Sequence, residues 1–194
     1  MNSITSLEAQ EHLAMLLDAK PVPTSDAPRD RRGLYGLIDH AGDLRYLGST
    51  NSKSQTLYKR IHCRHRSGSE DRSHYFSRMY NTGRMWRDRY AQKGHPDADV
   101  SKRLRNAFIA DHCRVVWVVL DDECDILALE AEILRIAPSW AVAWNRRGAS
   151  VYAEPIELVD CTIRRLGLTD AELAALERQR ERHCAKSKGR ARVL

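Results

Sequence analysis

Gly33-Leu34-Tyr35-Gly36-Leu37-Ile38-Asp39-His40-Ala41-Gly42-Asp43-Leu44-Arg45-Tyr46-Leu47-Gly48 is the stretch on which the fold of this chain turns. Two β-prone runs, Leu34–Ile38 and Leu44–Leu47, flank Asp39-His40-Ala41-Gly42-Asp43, a turn composition with a glycine free to take positive φ. A β-hairpin with a loop of about five residues is expected. Tyr35 and Tyr46 each stand one residue from a glycine, Gly33 and Gly48. Pairing of the strands around the turn puts both phenols on one face, and the glycines admit close approach of backbone or ligand.

At 194 residues the chain is long enough for one domain with a real core, plus appendages. Its net charge of +6 points to an anionic partner. The charge is unevenly placed: +8 over residues 59–105, −6 over 106–160 and +5 over 161–194. Basic flanks suit a phosphate backbone, and the acidic middle must do something else. The five cysteines are widely spaced, odd in number and free of Cys-x-x-Cys, as expected of reduced intracellular thiols. No apolar run approaches the roughly 20 residues of a membrane span. Glu8 and Glu11 in a start without basic residues are unlike a signal peptide, so a cytoplasmic protein with no membrane partner is expected.

Residues 1–20 read as a helix, capped by Ser6, with Leu7, Leu13, Leu16 and Leu17 giving a partial apolar face. It packs either on the domain or on a second copy. Residues 21–32 read as a linker stiffened by three prolines. A helix over 56–66 follows the hairpin. At about 100° per residue, Arg60 and Arg64 fall on one edge of its apolar arc and His65 on the other. His62, Cys63 and His65 invite a zinc site, but no second ligand pair stands at the required spacing.

Residues 72–105 read as a largely helical insertion in which Arg72, Arg78, Arg84 and Arg87 alternate with aromatics such as Tyr75, Tyr80 and Trp86. Such arginines, with Arg64, are candidates to hold nucleic-acid phosphates, while the aromatics either stack on bases or pack inward. Arg114–Leu120 is a continuous β-branched run, expected as a central buried strand. A helix over 125–137 follows. On its wheel Glu130 falls in the middle of the arc formed by Ile126, Leu129, Ile133 and Ile136. A carboxylate on a buried face demands a metal ion or an arginine partner. Residues 146–160 read as irregular. Thr169 and Glu172 form a capping box for a last helix, which ends in a basic tail.

The ordered series Gly-Leu-Tyr (33–35), Tyr-Leu-Gly-Ser-Thr (46–50), Leu57-Tyr58-Lys59-Arg60-Ile61, Glu130 and Asn145 resembles the GIY-YIG nuclease family, over roughly residues 32–147. Leu34 and Leu47 stand where the family usually has isoleucine. The gap between Tyr46 and Arg60 is longer than is common. The resemblance implies an α/β fold: a small, mainly antiparallel three-stranded sheet flanked by helices, here with extra N- and C-terminal helices. It implies three regions: an N-terminal helix and Pro-rich linker (1–32), a nuclease domain (33–148) with a basic helical insertion at about 72–105, and a C-terminal helix and basic tail (149–194).

It also implies a DNA endonuclease that hydrolyses phosphodiester bonds with Mg²⁺ or Mn²⁺. Tyr35 is then general base or water positioner, tuned by Tyr46, with its pKa lowered by nearby cations. Arg60 neutralises phosphate, Glu130 binds the metal and Asn145 orders the site. His65 falls near a position where the family often has a histidine, as phosphate contact or proton carrier. The DNA is double-stranded or branched, and a restriction role would call for a homodimer. Restriction, mobile-element, repair and structure-specific roles all stay open. A non-catalytic nucleic-acid-binding module on the same fold is the first alternative, and a structural protein with a protein-binding basic face the second.

Overall fold

The computed structural model describes residues 5–50, 52, 54–68, 74–145 and 149–191. It divides into two compact units. The first takes the chain through His65 and again over Cys113–Ala149; the second takes Arg66–His112 and the chain from Ser150 onward.

The first unit is an α/β layer structure. Strand β1 (Arg32–Ile38) pairs antiparallel with β2 (Leu44–Ser49) and with β3 (Arg114–Leu120), in the order β2-β1-β3. The expected central place of Arg114–Leu120 is corrected: β1 is central, and β3 is an edge strand whose far side, among the described residues, meets an isolated bridge from Val22 to Val115. The hairpin turn is held by Asp39. Its Oδ1 accepts from the backbone N–H of Ala41 and Asp43, both at 2.9 Å, and its Oδ2 accepts from Arg45 Nε at 2.9 Å. This is the self-capping geometry that favours aspartate in turns.

Side chains alternate across the sheet. Leu34, Ile38, Leu47, Val116 and Val118 face α1 (Ser6–Asp18) and α4 (Ile126–Ile136), closing a core with Ala9, Leu13, Leu16, Leu129 and Ile133. Helix α1 therefore packs on its own domain. Thr5, not Ser6, caps it, accepting from the Glu8 N–H at 3.2 Å. The proline-rich run is folded onto the unit rather than spanning solvent: Thr24 and Ala27 are buried, and Val22 bridges β3.

After a helical turn at Leu57, residues Lys59–His65 wind as a π-helix, not the expected α-helix. In the second unit the insertion is only partly helical. It holds a short α2 (Tyr75–Met79), a 3₁₀ turn (Gly83–Met85) and α3 (Pro96–His112). Residues 146–160 are not irregular throughout, because α5 (Ile156–Leu166) starts behind Pro155, a natural helix opener. Helix α6 (Asp170–Ala191) begins with the expected capping box: Thr169 N–H donates to Glu172 Oε2 at 2.9 Å, and Glu172 N–H to Thr169 Oγ1 at 3.4 Å. All five cysteines are free thiols. Among the described residues no helix is long and apolar enough to cross a membrane.

Candidate active site

The β1–β2 register sets Tyr35 opposite Gly48 and Leu37 opposite Tyr46, so both phenols rise from one face of the hairpin. Their ring centroids are 6.1 Å apart. Gly48 makes this possible. A Cβ there would lie 2.8 Å from the Tyr35 hydroxyl and 2.7 Å from Tyr46 Cε1. The Tyr35 ring fills the space that glycine leaves.

The π-helix supplies the other half. His65, buried, places Nε2 2.8 Å from the Tyr35 hydroxyl, and its ring lies 5.5 Å from each tyrosine ring. Arg60 donates from Nε to the same hydroxyl at 3.2 Å. With Arg60 donating to the oxygen, the phenol's own proton is free to go to His65 Nε2 whenever that nitrogen is unprotonated. In π winding, residues five apart share a face, which brings Arg60 and His65 to one phenol and leaves Arg64 exposed.

Electrostatics depart from expectation at Tyr35. Burial pushes its pKa well above the usual value near 10, and Tyr46 adds to the rise; the charge and hydrogen bond of Arg60 oppose it without prevailing. The phenol has no exposed surface, so loss of hydration outweighs one guanidinium. The nearby arginine thus acts in the expected direction but does not bring the pKa below its usual value. At Arg60 burial pulls downward, but Tyr35, Tyr46 and Glu130 together raise its pKa.

Glu130 comes from α4, on the opposite face of the sheet. Its Oε2 accepts from Ser49 Oγ at 2.5 Å, and Oε1 accepts nothing from the described residues. Its charge acts on both Tyr35 and Arg60. Asn145 clamps the middle of β2: Oδ1 accepts from Leu47 N–H at 3.1 Å, and Nδ2 donates to Leu47 O at 2.7 Å. At the strand end Thr50 Oγ1 accepts from Gly33 N–H at 3.0 Å. Sequence reasoning missed Ser49 and Thr50 as participants. Their place directly after Tyr46-Leu47-Gly48 was the signal that could have found them.

Among the described residues no group of three or more His, Cys, Asp or Glu side chains is placed to hold a metal ion, which disposes of a His62–Cys63–His65 zinc site there. His62 instead bonds Thr24 Oγ1 through Nδ1 at 3.0 Å and stacks on Tyr58. A single carboxylate, half of it open, still fits a hard cation that keeps most of its waters, as Mg²⁺ does.

The arginines expected to hold nucleic acid differ in their surroundings, Arg64 being exposed in the first unit. Arg72 lies outside the described residues. Arg78 leans over Tyr75, 5.9 Å from its centroid. Arg84 is engaged inside the second unit, where Nε meets Glu154 at 2.5 Å and Nη1 meets Asp160 at 2.7 Å. Arg87 pairs with Asp99 at 3.3 Å, with little of its side chain exposed. Comparison with family models, curated proteins and solved structures gave no match to the chain.

Proposed function

We propose that this chain is a GIY-YIG-type DNA endonuclease that hydrolyses phosphodiester bonds with Mg²⁺ or Mn²⁺. One observation carries the reading: the hydroxyl of Tyr35 is held between Arg60 Nε and His65 Nε2, beside Tyr46, within range of the Glu130 charge. A tyrosine needed only for packing has no use for two charge-capable partners on its oxygen. The motif order read from the sequence supports the same conclusion.

In this reading Arg60 turns its remaining N–H groups to the scissile phosphate. Tyr35 orients the attacking water: the phenol proton passes to neutral His65, the phenolate takes the proton that the water gives up as it bonds to phosphorus, and the leaving oxygen takes a proton from solvent. The phenolate so formed would be held by two donors, Arg60 and protonated His65, which offsets part of the desolvation that raises the pKa of Tyr35. Glu130, steered by Ser49, would hold the metal ion. That ion supplies charge neutralisation at the phosphate and a more acidic bound water. Asn145 keeps β2, and with it Tyr46, in register.

The complete burial of Tyr35 favours a second reading, a non-catalytic nucleic-acid-binding module. Supercoiled plasmid with Mg²⁺ or Mn²⁺ separates the two, with Glu130→Ala and EDTA as controls. Metal-dependent nicking or linearisation that the variant loses is the expected result. Intact binding with no cleavage of plasmid, branched or single-stranded DNA would move the assignment to the binding module.

A further inference from the structure

The second unit contains a cleft of about 370 Å³ that the proposed chemistry does not use, lined by Trp86, Arg87, Arg89, Tyr90, His183 and Lys186 among others. Its composition is unusual for a packing defect. Trp86 is its buried aromatic wall, with the His183 ring 5.6 Å away and Lys186 Nζ 5.7 Å from the indole centroid. Tyr90 stands at the rim with 73% of its surface exposed, and the Arg89 guanidinium lies 5.9 Å from its ring. The carboxylate in the cleft, Asp88, is occupied: Oδ1 accepts from the N–H groups of Tyr90 and Ala91, and Oδ2 takes Lys186.

The protonation of His183 follows from its partners. A backbone N–H, that of Gly83, donates to Nδ1 at 3.2 Å, so Nδ1 must be the acceptor and the ring proton sits on Nε2. Burial pushes the pKa of His183 down, against the charge of Glu154. The ring is therefore a neutral donor at neutral pH.

We propose that this cleft is a nucleotide subsite: an unpaired base stacks on Trp86 between Tyr90 and His183, and its phosphate is held by Arg89 and Lys186. Flat aromatic surface, a fixed N–H donor and an excess of cations, Arg89 and Lys186 against the one carboxylate Asp88, within one cleft are the means by which proteins hold single-stranded bases. The size suits a small ligand. The ligand chemistry is the same whether the nucleotide is free or part of a strand. The proposal does not rest on the nuclease reading, because no residue of the Tyr35 site takes part.

The test uses the full-length protein and calorimetric titration with deoxyadenosine 5′-monophosphate, ribose 5-phosphate and a single-stranded oligonucleotide of about 12 nucleotides, within the span such grooves cover. Saturable binding of the mononucleotide marks a free-nucleotide site, and binding of the oligonucleotide alone marks a strand-reading site. Either supports the proposal if Trp86→Leu, shown by its circular dichroism spectrum to be folded, weakens it about tenfold and Trp86→Phe restores it, the spectrum being the control that a buried position requires. Tyr90→Ala, at an exposed rim position, should weaken binding about threefold with an unchanged circular dichroism spectrum. Lys186→Gln should make the salt dependence shallower. Equal affinity for ribose 5-phosphate, or wild-type affinity in both Trp86→Leu and Tyr90→Ala, would overturn the proposal. So would failure of both nucleotide ligands to bind.

Discussion

Replacing Gly48 by alanine tests the geometry of the Tyr35 site most directly. The backbone of Gly48 is not in the left-handed region, so alanine costs nothing in conformation there and gains about 0.4–1 kcal/mol from the unfolded chain. The cost is contact. The new methyl would stand 2.7 Å from Tyr46 Cε1, 2.8 Å from the Tyr35 hydroxyl and 2.9 Å from Tyr35 Cζ, where carbon contacts settle at about 3.5–4.0 Å. The rings must give way by roughly 0.7–1 Å. Tyr35 has no free surface to move into, and its hydroxyl is already engaged at 2.8 and 3.2 Å. Overpacking of this kind costs about 1–3 kcal/mol, and a lost hydrogen bond about 1 kcal/mol more. Net of the entropy gain, Gly48→Ala should lose about 2 kcal/mol, read as a lower urea midpoint at unchanged slope. If Tyr35 acts on a phosphate, a displacement near 1 Å should also lower cleavage about 100-fold. Gly42→Ala is the control. Its φ is +91° and a methyl there would meet no atom within 4 Å, so it should cost about 1 kcal/mol in backbone strain and leave cleavage unchanged. A Gly48→Ala protein with the wild-type urea midpoint would refute this account of why glycine stands there.

The raised pKa of Tyr35 sets an alkaline limit. Its stabilising contribution is complete below the unfolded value near pH 10 and is lost as pH rises toward the higher folded value, so urea midpoints should fall above pH 10, and less steeply in Tyr35→Phe. Arg84→Met should cost about 3 kcal/mol in urea unfolding, because it strands Glu154, 9% exposed in its side chain, without its cation. Deleting Cys63, an exposed residue of the π-helix, should let the segment wind as an α-helix with the histidine now four residues after Arg60. Retained stability and retained dependence on that histidine are expected, and a collapse of both in unfolding and cleavage assays would refute the view that the winding matters only by bringing Arg60 and His65 to one face.

Much of the first unit was legible because local and global signals agree there. Asp39 and Gly42 announce the turn, the two Gly-x-Tyr-type steps announce the facing phenols, and the wheel of α4 put Glu130 on its apolar arc, where Ser49 meets it. Neighbourhood was what the sequence withheld. The valine run of β3 is as apolar as a central strand, yet β1 takes the centre because it is the strand that pairs with both others. Arg84 sits in a row of arginines and aromatics that resembles a phosphate-binding face, and nothing local reveals Glu154, 70 positions away, as its partner. Helix α5 was overlooked despite Pro155 before it and Gly167, at φ +58°, after it, which are ordinary start and stop signals.

The π-helix is where chain pattern and site chemistry meet most closely. At the α-helical pitch of about 100° per residue, Arg60 and Arg64 share an edge and His65 turns away. The structure reverses this pairing, with His65 buried against Tyr35 and Arg64 in solvent. The departure is offset by anchors at the segment's start: Leu57 N–H donates to Arg31 O and Tyr58 N–H to Pro28 O, each at 2.9 Å, and the Arg29 guanidinium lies 3.9 Å over the Tyr58 ring. These contacts come from the proline-rich run, which therefore belongs to the site's support rather than to a spacer. Two side chains acting on one hydroxyl from one helix must share a face. Four residues separate such a pair in an α-helix and five in a π-helix, and here the chain carries Arg60 and its histidine at five.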